Sequence, residues 1–241
     1  GIIHAWFSSL GSGTAGRQPF QTPVKANGEC SLEVDGRRFP LHQADLNALA
    51  PAAAAGLEGA LIDAGPGELS DFNGKDVAGA IVLMDLDSGK NWMNAALLGA
   101  RAVIYLDRHK GGEPSGKGVF EDKFELTPMA FPRFWADPAA LNGGLSGLTG
   151  KPARLVSRSA WKPHLAENVY LFIEGSDPAL SKQLVVVEAF YDSKAYVAGR
   201  SPGADEASSM AALVEMANAF TAKKPKRSVL LAATAGHVQS L

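Results

Sequence analysis

The stretch Val185–Ser193, with the sequence VVVEAFYDS, and the loop Pro202–Asp205, PGAD, decide the fold of the surrounding region. A short apolar run that ends in a polar corner is typical of a strand. The glycine-bearing loop then delivers a second carboxylate to the start of a helix. Open α/β folds keep their binding sites at the carboxyl ends of strands. We therefore expect Asp192 and Asp205 to lie near one another at one edge of a sheet.

The patterns on either side of this stretch predict an α/β fold. A helix is predicted from about 207 to 222, because Leu213, Ala217 and Phe220 follow one another at helical spacing. A second helix, 91–98, lies between two strands in the order that builds a parallel βαβ unit. Strands are predicted at 31–34 and 38–41 (joined by the turn Asp35-Gly36), 59–63, 79–84, 102–106, 153–157, 168–175, 184–190 and 228–234.

Prolines and glycines shape three further expectations. The extended segment 127–134 contains two prolines, which place it at the edge of a sheet. Asp137 followed by a proline predicts a helix start. Residues Gly11–Gly16 match the dinucleotide-binding spacing GxGxxG, but Pro19 and Pro23 exclude the helix that would receive a pyrophosphate. A flexible loop is the better interpretation of this region.

Composition excludes several functions. The 241 residues carry a net charge of −2, which argues against a dedicated nucleic-acid binder. No apolar stretch reaches the length of a membrane span. A single cysteine, Cys30, forbids an internal disulfide and a cysteine-based zinc cluster. The sequence stops at Leu241, just after a predicted strand, and we expect further chain or a second polypeptide to complete the sheet.

Two segments resemble known modules. Residues 73–83, NGKDVAGAIVL, and 94–104, NAALLGARAVI, resemble a protease-associated domain. Residues 166–241 resemble the opening of the co-catalytic zinc aminopeptidases, metallopeptidase family 28, which also has non-catalytic members. The resemblance implies an N-terminal segment, 1–54, that packs on the peptidase-like domain, a β-rich protease-associated-like domain, 55–160, and the first part of a zinc-aminopeptidase-like mixed sheet flanked by helices, 161–241. It also implies a secreted or periplasmic location.

The sequence departs from this family's pattern where the family binds metal. The family's His-x-Asp-Ser provides a zinc-binding histidine and an aspartate that orients the site, and this chain has Phe190 in place of the histidine and keeps Asp192. Asp205 is the candidate for the aspartate that bridges two zincs. The family's Glu-Glu pair, a general base followed by a zinc ligand, is replaced by Gly236 and His237.

These differences leave two functions open. Phenylalanine has no lone pair to bind a metal. The loss of a general base lowers the rate of hydrolysis by about 10²–10⁴-fold. We therefore expect a catalytically inactive, aminopeptidase-like binding or assembly module, with a protein partner or a peptide ligand. The alternative is a hydrolase with one zinc held by Asp205 and His237. Each residue also has a structural interpretation: Asp205 as an N-cap or first-turn carboxylate, Asp192 in a turn, and His237 as a hydrogen-bonded polar group.

Overall fold

The computed structural model describes residues 1–44, 53–108, 131–137, 142–193 and 203–237. Within these ranges an α/β arrangement of three α-helices and nine strands is present, which confirms the predicted fold class. The elements in chain order are α1 Ile2–Ser9, β1 Thr14–Val34, β2 Arg37–Gln43, β3 Ala53–Asp63, β4 Ile81–Asp85, α2 Trp92–Leu97, β5 Ala102–Leu106, β6 Arg133–Ala136, β7 Pro152–Ile173, β8 Leu184–Phe190, α3 Ala204–Ala222 and β9 Ser228–Thr234.

The chain forms two compact units. The terminal unit takes Gly1–Val24, Trp161–Ser193 and the residues from Gly203 onward, and the middle unit takes Lys25–Ala160. The predicted division into 1–54, 55–160 and 161–241 stays a prediction, because these units group residues by contact alone. No α-helix among the described residues combines the length and apolar character that crossing a membrane requires.

The middle unit is built on a mixed sheet. Its strands lie in the order β1-β2-β6-β5-β4-β3-β7. The predicted βαβ unit is confirmed: β4 and β5 are parallel, and α2 connects them. All of β5 and most of β4 are buried, as expected for central parallel strands with both faces covered. The hairpin is confirmed too, since Asp35 and Gly36 both have positive φ, the conformation of a tight two-residue turn.

The terminal unit places β9 between two strands. β9 is antiparallel to β7 and parallel to β8, and α3 connects β8 to β9. Alternate residues of the strands face α1 and α3, where the buried side chains of Phe7, Leu171, Leu213 and Leu231 form the core. The opposite face carries the row Phe172, Leu230 and Val186, which are aligned in register across the three strands. We call these three residues the apolar row. Val186 is 56% exposed.

The prediction of a flexible loop for residues 11–16 was wrong in part, because β1 begins at Thr14. Its first half pairs with β7, and Gln18 accepts a hydrogen bond of 3.1 Å from Asn168. No hydrophobic period reveals the strand, because nearly all of its residues before Ser31 are half-buried or exposed. Pro19 and Pro23 are tolerated there because this part of the strand has an unpaired side.

Two further expectations about strands were wrong. β6 lies between β2 and β5, not at an edge, because Pro132 precedes the strand and its missing N–H removes no ladder hydrogen bond. The predicted strands 153–157 and 168–175 are one continuous strand, β7. The first part of the extended segment, 127–130, and most of the helix expected after Asp137 lie outside the described residues.

The packing at the end of β7 generates a first prediction. A Cβ atom on Gly175 would lie 2.4 Å from the carbonyl oxygen of Lys226 and 2.8 Å from the amide nitrogen of Ser228. Backbone atoms cannot rotate away, so Gly175→Ala should destabilise the protein by about 1–3 kcal/mol in urea unfolding. Gly11→Ala is the control, because nothing lies within 4 Å of its Cβ position. Equal unfolding midpoints for the two variants would contradict this packing.

Candidate functional site

The site lies where the parallel strands β8 and β9 end. Phe190 is paired with Thr234 at the last step of the ladder. Because the strands run in the same direction, the residues that follow each of them emerge at the same edge. Asp192 therefore meets Gly236 and His237.

Asp192 fastens the two strand ends together through the backbone. Its Oδ2 atom accepts hydrogen bonds from the amide of Gly236, at 2.7 Å, and from the amide of His237, at 3.1 Å. Gly236 has a φ of 75°, a conformation that glycine adopts without steric cost. The Oδ1 atom of Asp192 is buried and has no hydrogen-bond partner among the described residues. One carboxylate oxygen is thus committed to the fold, and the other is unsatisfied.

Phe190 and His237 are in direct contact. Their rings are stacked, with centroids 3.6 Å apart and planes at 18°. Phe190 is half-buried, and His237 is exposed. Position 190, where the family resemblance calls for a metal-binding histidine, therefore supplies an apolar surface to the imidazole ring of His237.

Polar contacts missed in the sequence hold the same edge from β7. The hydroxyl of Tyr191 donates to the carbonyl oxygen of Glu167, at 2.5 Å, and the amide of Ala235 donates to the side chain of Asn168, at 3.1 Å. Burial, together with the charges of Glu167 and Asp192, raises the pKa of the Tyr191 hydroxyl. No sequence motif signals these contacts, because their partners are 24 and 67 residues apart.

Asp205 occupies the first turn of α3. Gly203 is the N-cap, with a φ of 62°, so the interpretation of Asp205 as a first-turn carboxylate applies and the N-cap one does not. The Asp205 side chain is exposed, and its carbonyl oxygen accepts hydrogen bonds from Ser208 and Ser209. The helix start lies beside the strand end, because a Cβ on Gly203 would be 3.7 Å from Ser193 Oγ.

The structure therefore brings two of the three predicted site residues together. Asp192 bonds to the backbone of His237, whereas no described hydrogen bond joins Asp205 to either. A structural zinc takes four ligands, and a catalytic zinc takes three from the protein. No three histidine, cysteine, aspartate or glutamate side chains within the described ranges lie close enough to hold a metal. The unsatisfied Asp192 Oδ1 is one donor, and the residues described here do not fit a complete zinc site.

Comparison with known proteins identifies the scaffold. The model of Peptidase family M28 matches residues 168–237. Similar solved structures include BSAP, a zinc aminopeptidase from Bacillus subtilis, with a TM-score of 0.70 and 22% identity over 96% of this chain and 53% of that one. An M28 peptidase precursor from Shewanella amazonensis has a TM-score of 0.57 and 19% identity over 96% of this chain and 57% of that one.

These matches establish an aminopeptidase-like fold for the chain, at identities that carry the fold alone. The chain spans about half the length of the solved structures that it matches. No curated protein matches its sequence.

The hydrogen bonds of Asp192 generate the second prediction. Asp192→Ala removes the partly buried hydrogen bond from the amide of Gly236 and the exposed one from the amide of His237, and a typical hydrogen bond contributes about 0.5–1.5 kcal/mol. We expect a lower urea midpoint and faster hydrogen exchange at the amides of Gly236 and His237. Asp205→Ala is the matched control, since its carboxylate contributes through the helix dipole only about 0.3–1 kcal/mol. Unchanged exchange at residue 236 in Asp192→Ala would show that these bonds are not formed.

Proposed function

We propose that this aminopeptidase-like chain is a binding or assembly module and not a two-zinc peptidase. Phe190 supports the proposal most directly, because a phenyl ring without a lone pair for a metal stacks on His237 at 3.6 Å, at the position where the family resemblance places a metal-binding histidine. The segment that carries the resemblance to a protease-associated domain, 55–160, would belong to the same module.

The chemistry of the remaining donors supports the same function. A two-metal site holds two cations about 3.5–4 Å apart and needs ligands on both sides. Phe190 gives no lone pair on one side, and Gly236 gives no general base at the position where the family resemblance places one. The aspartate that remains, Asp192, already accepts two backbone amides through Oδ2.

One observation favours the second candidate, a hydrolase with an altered metal site. The buried Oδ1 atom of Asp192 lacks a hydrogen-bond partner among the described residues. A cation or a hydrogen-bond donor would stabilise such a buried carboxylate oxygen. Asp205 and His237 would be its ligands in that case, with further donors from outside the described residues. We rank this function second because Asp205 makes no described contact with the other two residues.

Zinc content and aminopeptidase activity distinguish the two functions. For the purified protein we expect fewer than two zinc ions per chain by elemental analysis and no aminopeptidase turnover on amino-acid p-nitroanilides. Phe190→His should not create that activity, because the general base is still missing and its absence costs about 10²–10⁴ in rate. Two stoichiometric zincs with turnover in the unmodified protein would refute the module. If zinc is bound and His237→Ala abolishes it, the second candidate is favoured.

We further propose that a polypeptide partner covers the free face of the terminal unit's sheet. The apolar row lies on this face, and Leu184, two residues before Val186 on β8, adds to its exposed apolar surface. Helices α1 and α3 cover only the other face, whereas parallel strands are normally covered on both. β8 also pairs on one side only among the described strands, so it offers free backbone groups to a partner strand. Covering could come from further chain or from another protein. An extracytoplasmic location is part of this proposal.

The partner proposal is tested on the 241-residue chain by itself. We expect it to bind the dye ANS and to self-associate in light scattering, because large exposed apolar patches promote both. Val186→Lys should reduce both signals. Leu97→Lys is the control, since Leu97 is 80% exposed and belongs to α2 of the middle unit. A monomer that binds no ANS would contradict the proposal.

A further inference from the structure

A groove in the middle unit has no role in the proposals above. It has a volume of about 710 Å³ and lies between the β1–β2 hairpin and the antiparallel pair of β3 with β7. Its lining includes the turn Asp35-Gly36, residues 58–60 of β3 and residues 152–154 of β7. Binding sites for small ligands have volumes of about 300–1,000 Å³, so the groove is large enough for a short peptide.

Small residues line the groove between its charged walls. Gly36, Gly59, Ala60 and Ala153 present little or no side chain. The backbones of Gly59 and Ala153 are paired directly across β3 and β7. Nothing lies within 4 Å of the Cβ position of Gly36, so a ligand main chain is able to approach this turn closely. The Cβ position of Gly59 faces the carbonyl oxygen of Gly79, and the side chain of Ala153 faces the core.

The charges of the groove decide the class of ligand. Three arginines, Arg37, Arg38 and Arg154, line it together with three acids, Glu33, Asp35 and Glu58. Equal numbers of the two signs disfavour a polyanion such as nucleic acid, and they disfavour a polycation as well. They suit a ligand that carries both a carboxylate and an ammonium group.

Most of these charges are weakly held by the protein. Arg154 lies 3.8 Å from Glu58, and their side chains are 43% and 76% exposed. Lys151 lies 3.9 Å from Asp35, with both side chains 54% exposed. Exposed pairs at such distances contribute about 0–1 kcal/mol, so a ligand exchanges with them at small cost. Arg38 differs, because it pairs closely with Glu29 outside the groove.

Arg37 and Glu33 form no ion pair within the described residues. Arg37 lies over the ring of Phe39, 5.0 Å from its centroid, which orients the guanidinium without using its hydrogen-bond donors. Arg37 is thus available to a carboxylate, as is Arg154 through the donors that it does not use on the carbonyl oxygen of Ala55, and Glu33 and Glu58 are available to an ammonium group.

We propose that this groove binds short zwitterionic peptides, with their carboxylate on Arg37 and Arg154 and their ammonium group on Glu33 and Glu58. The proposal is independent of the site at the ends of β8 and β9 and of whether that site binds zinc.

Calorimetry with the tetrapeptide Lys-Ala-Ala-Glu tests the groove. We expect the double variant Arg37→Gln, Arg154→Gln to lose about tenfold or more in affinity, because each hydrogen bond to a charged group contributes on that order. Glu33→Gln with Glu58→Gln should weaken binding similarly. An acetylated and amidated tetra-alanine peptide, which has no charged group, should bind neither the unmodified protein nor the variants. Arg17→Gln is the matched control, since Arg17 pairs with Glu167 in the terminal unit, and it should bind as the unmodified protein does.

Unfolding midpoints in urea separate a lost site from a lost fold. The groove variants should unfold within about 0.5 kcal/mol of the unmodified protein, because they change exposed side chains. No binding by the unmodified protein at millimolar peptide overturns the proposal. So does undiminished binding by both double variants.

Discussion

The parallel pairing of β8 with β9 is the constraint on which the candidate site depends. Parallel neighbours need a long crossover, which α3 provides, and this crossover covers one face of the sheet. The same pairing brings both strand ends to one edge, and Asp192 consequently reaches the amides of Gly236 and His237. Fold and site are thus products of one interaction. The free face of the sheet follows from it as well, since a single crossover helix cannot lie on both sides.

Local signals in the sequence predicted much of the fold. The buried strands β4 and β5, the helix between them and the Asp35-Gly36 hairpin all have patterns that depend on near neighbours. Only the end of β1, residues 31–34, was predicted; the earlier part of the strand was missed because it pairs with β7, about 150 residues away, and has no hydrophobic period. β6 was predicted at an edge of the sheet because the segment 127–134 contains prolines. Pro132 lies just before the strand, however, and does not prevent pairing on both sides.

Part of the candidate site was also predictable from the sequence, and part was not. The sequence placed Asp192 correctly at a strand end and Asp205 at a helix start. It did not predict that Asp192 would accept hydrogen bonds from the backbone amides of Gly236 and His237. Every residue except proline has a backbone amide, so no residue type in the sequence marks such a partner. The stacking of Phe190 on His237 was also out of reach, since the two residues are far apart in the chain and meet only through the β8–β9 register.

The hydrogen bonds of Asp192 give this residue a role in the aminopeptidase-like fold that does not depend on a metal. Oδ2 accepts a partly buried hydrogen bond from the amide of Gly236 and an exposed one from the amide of His237, whether or not a metal is nearby. A histidine at position 190 would have no comparable backbone role, and phenylalanine packs on His237 in its place. The Asp192 carboxylate is therefore part of the structure that joins β8 to β9, and the Phe190 ring adds a second contact between the same two strand ends.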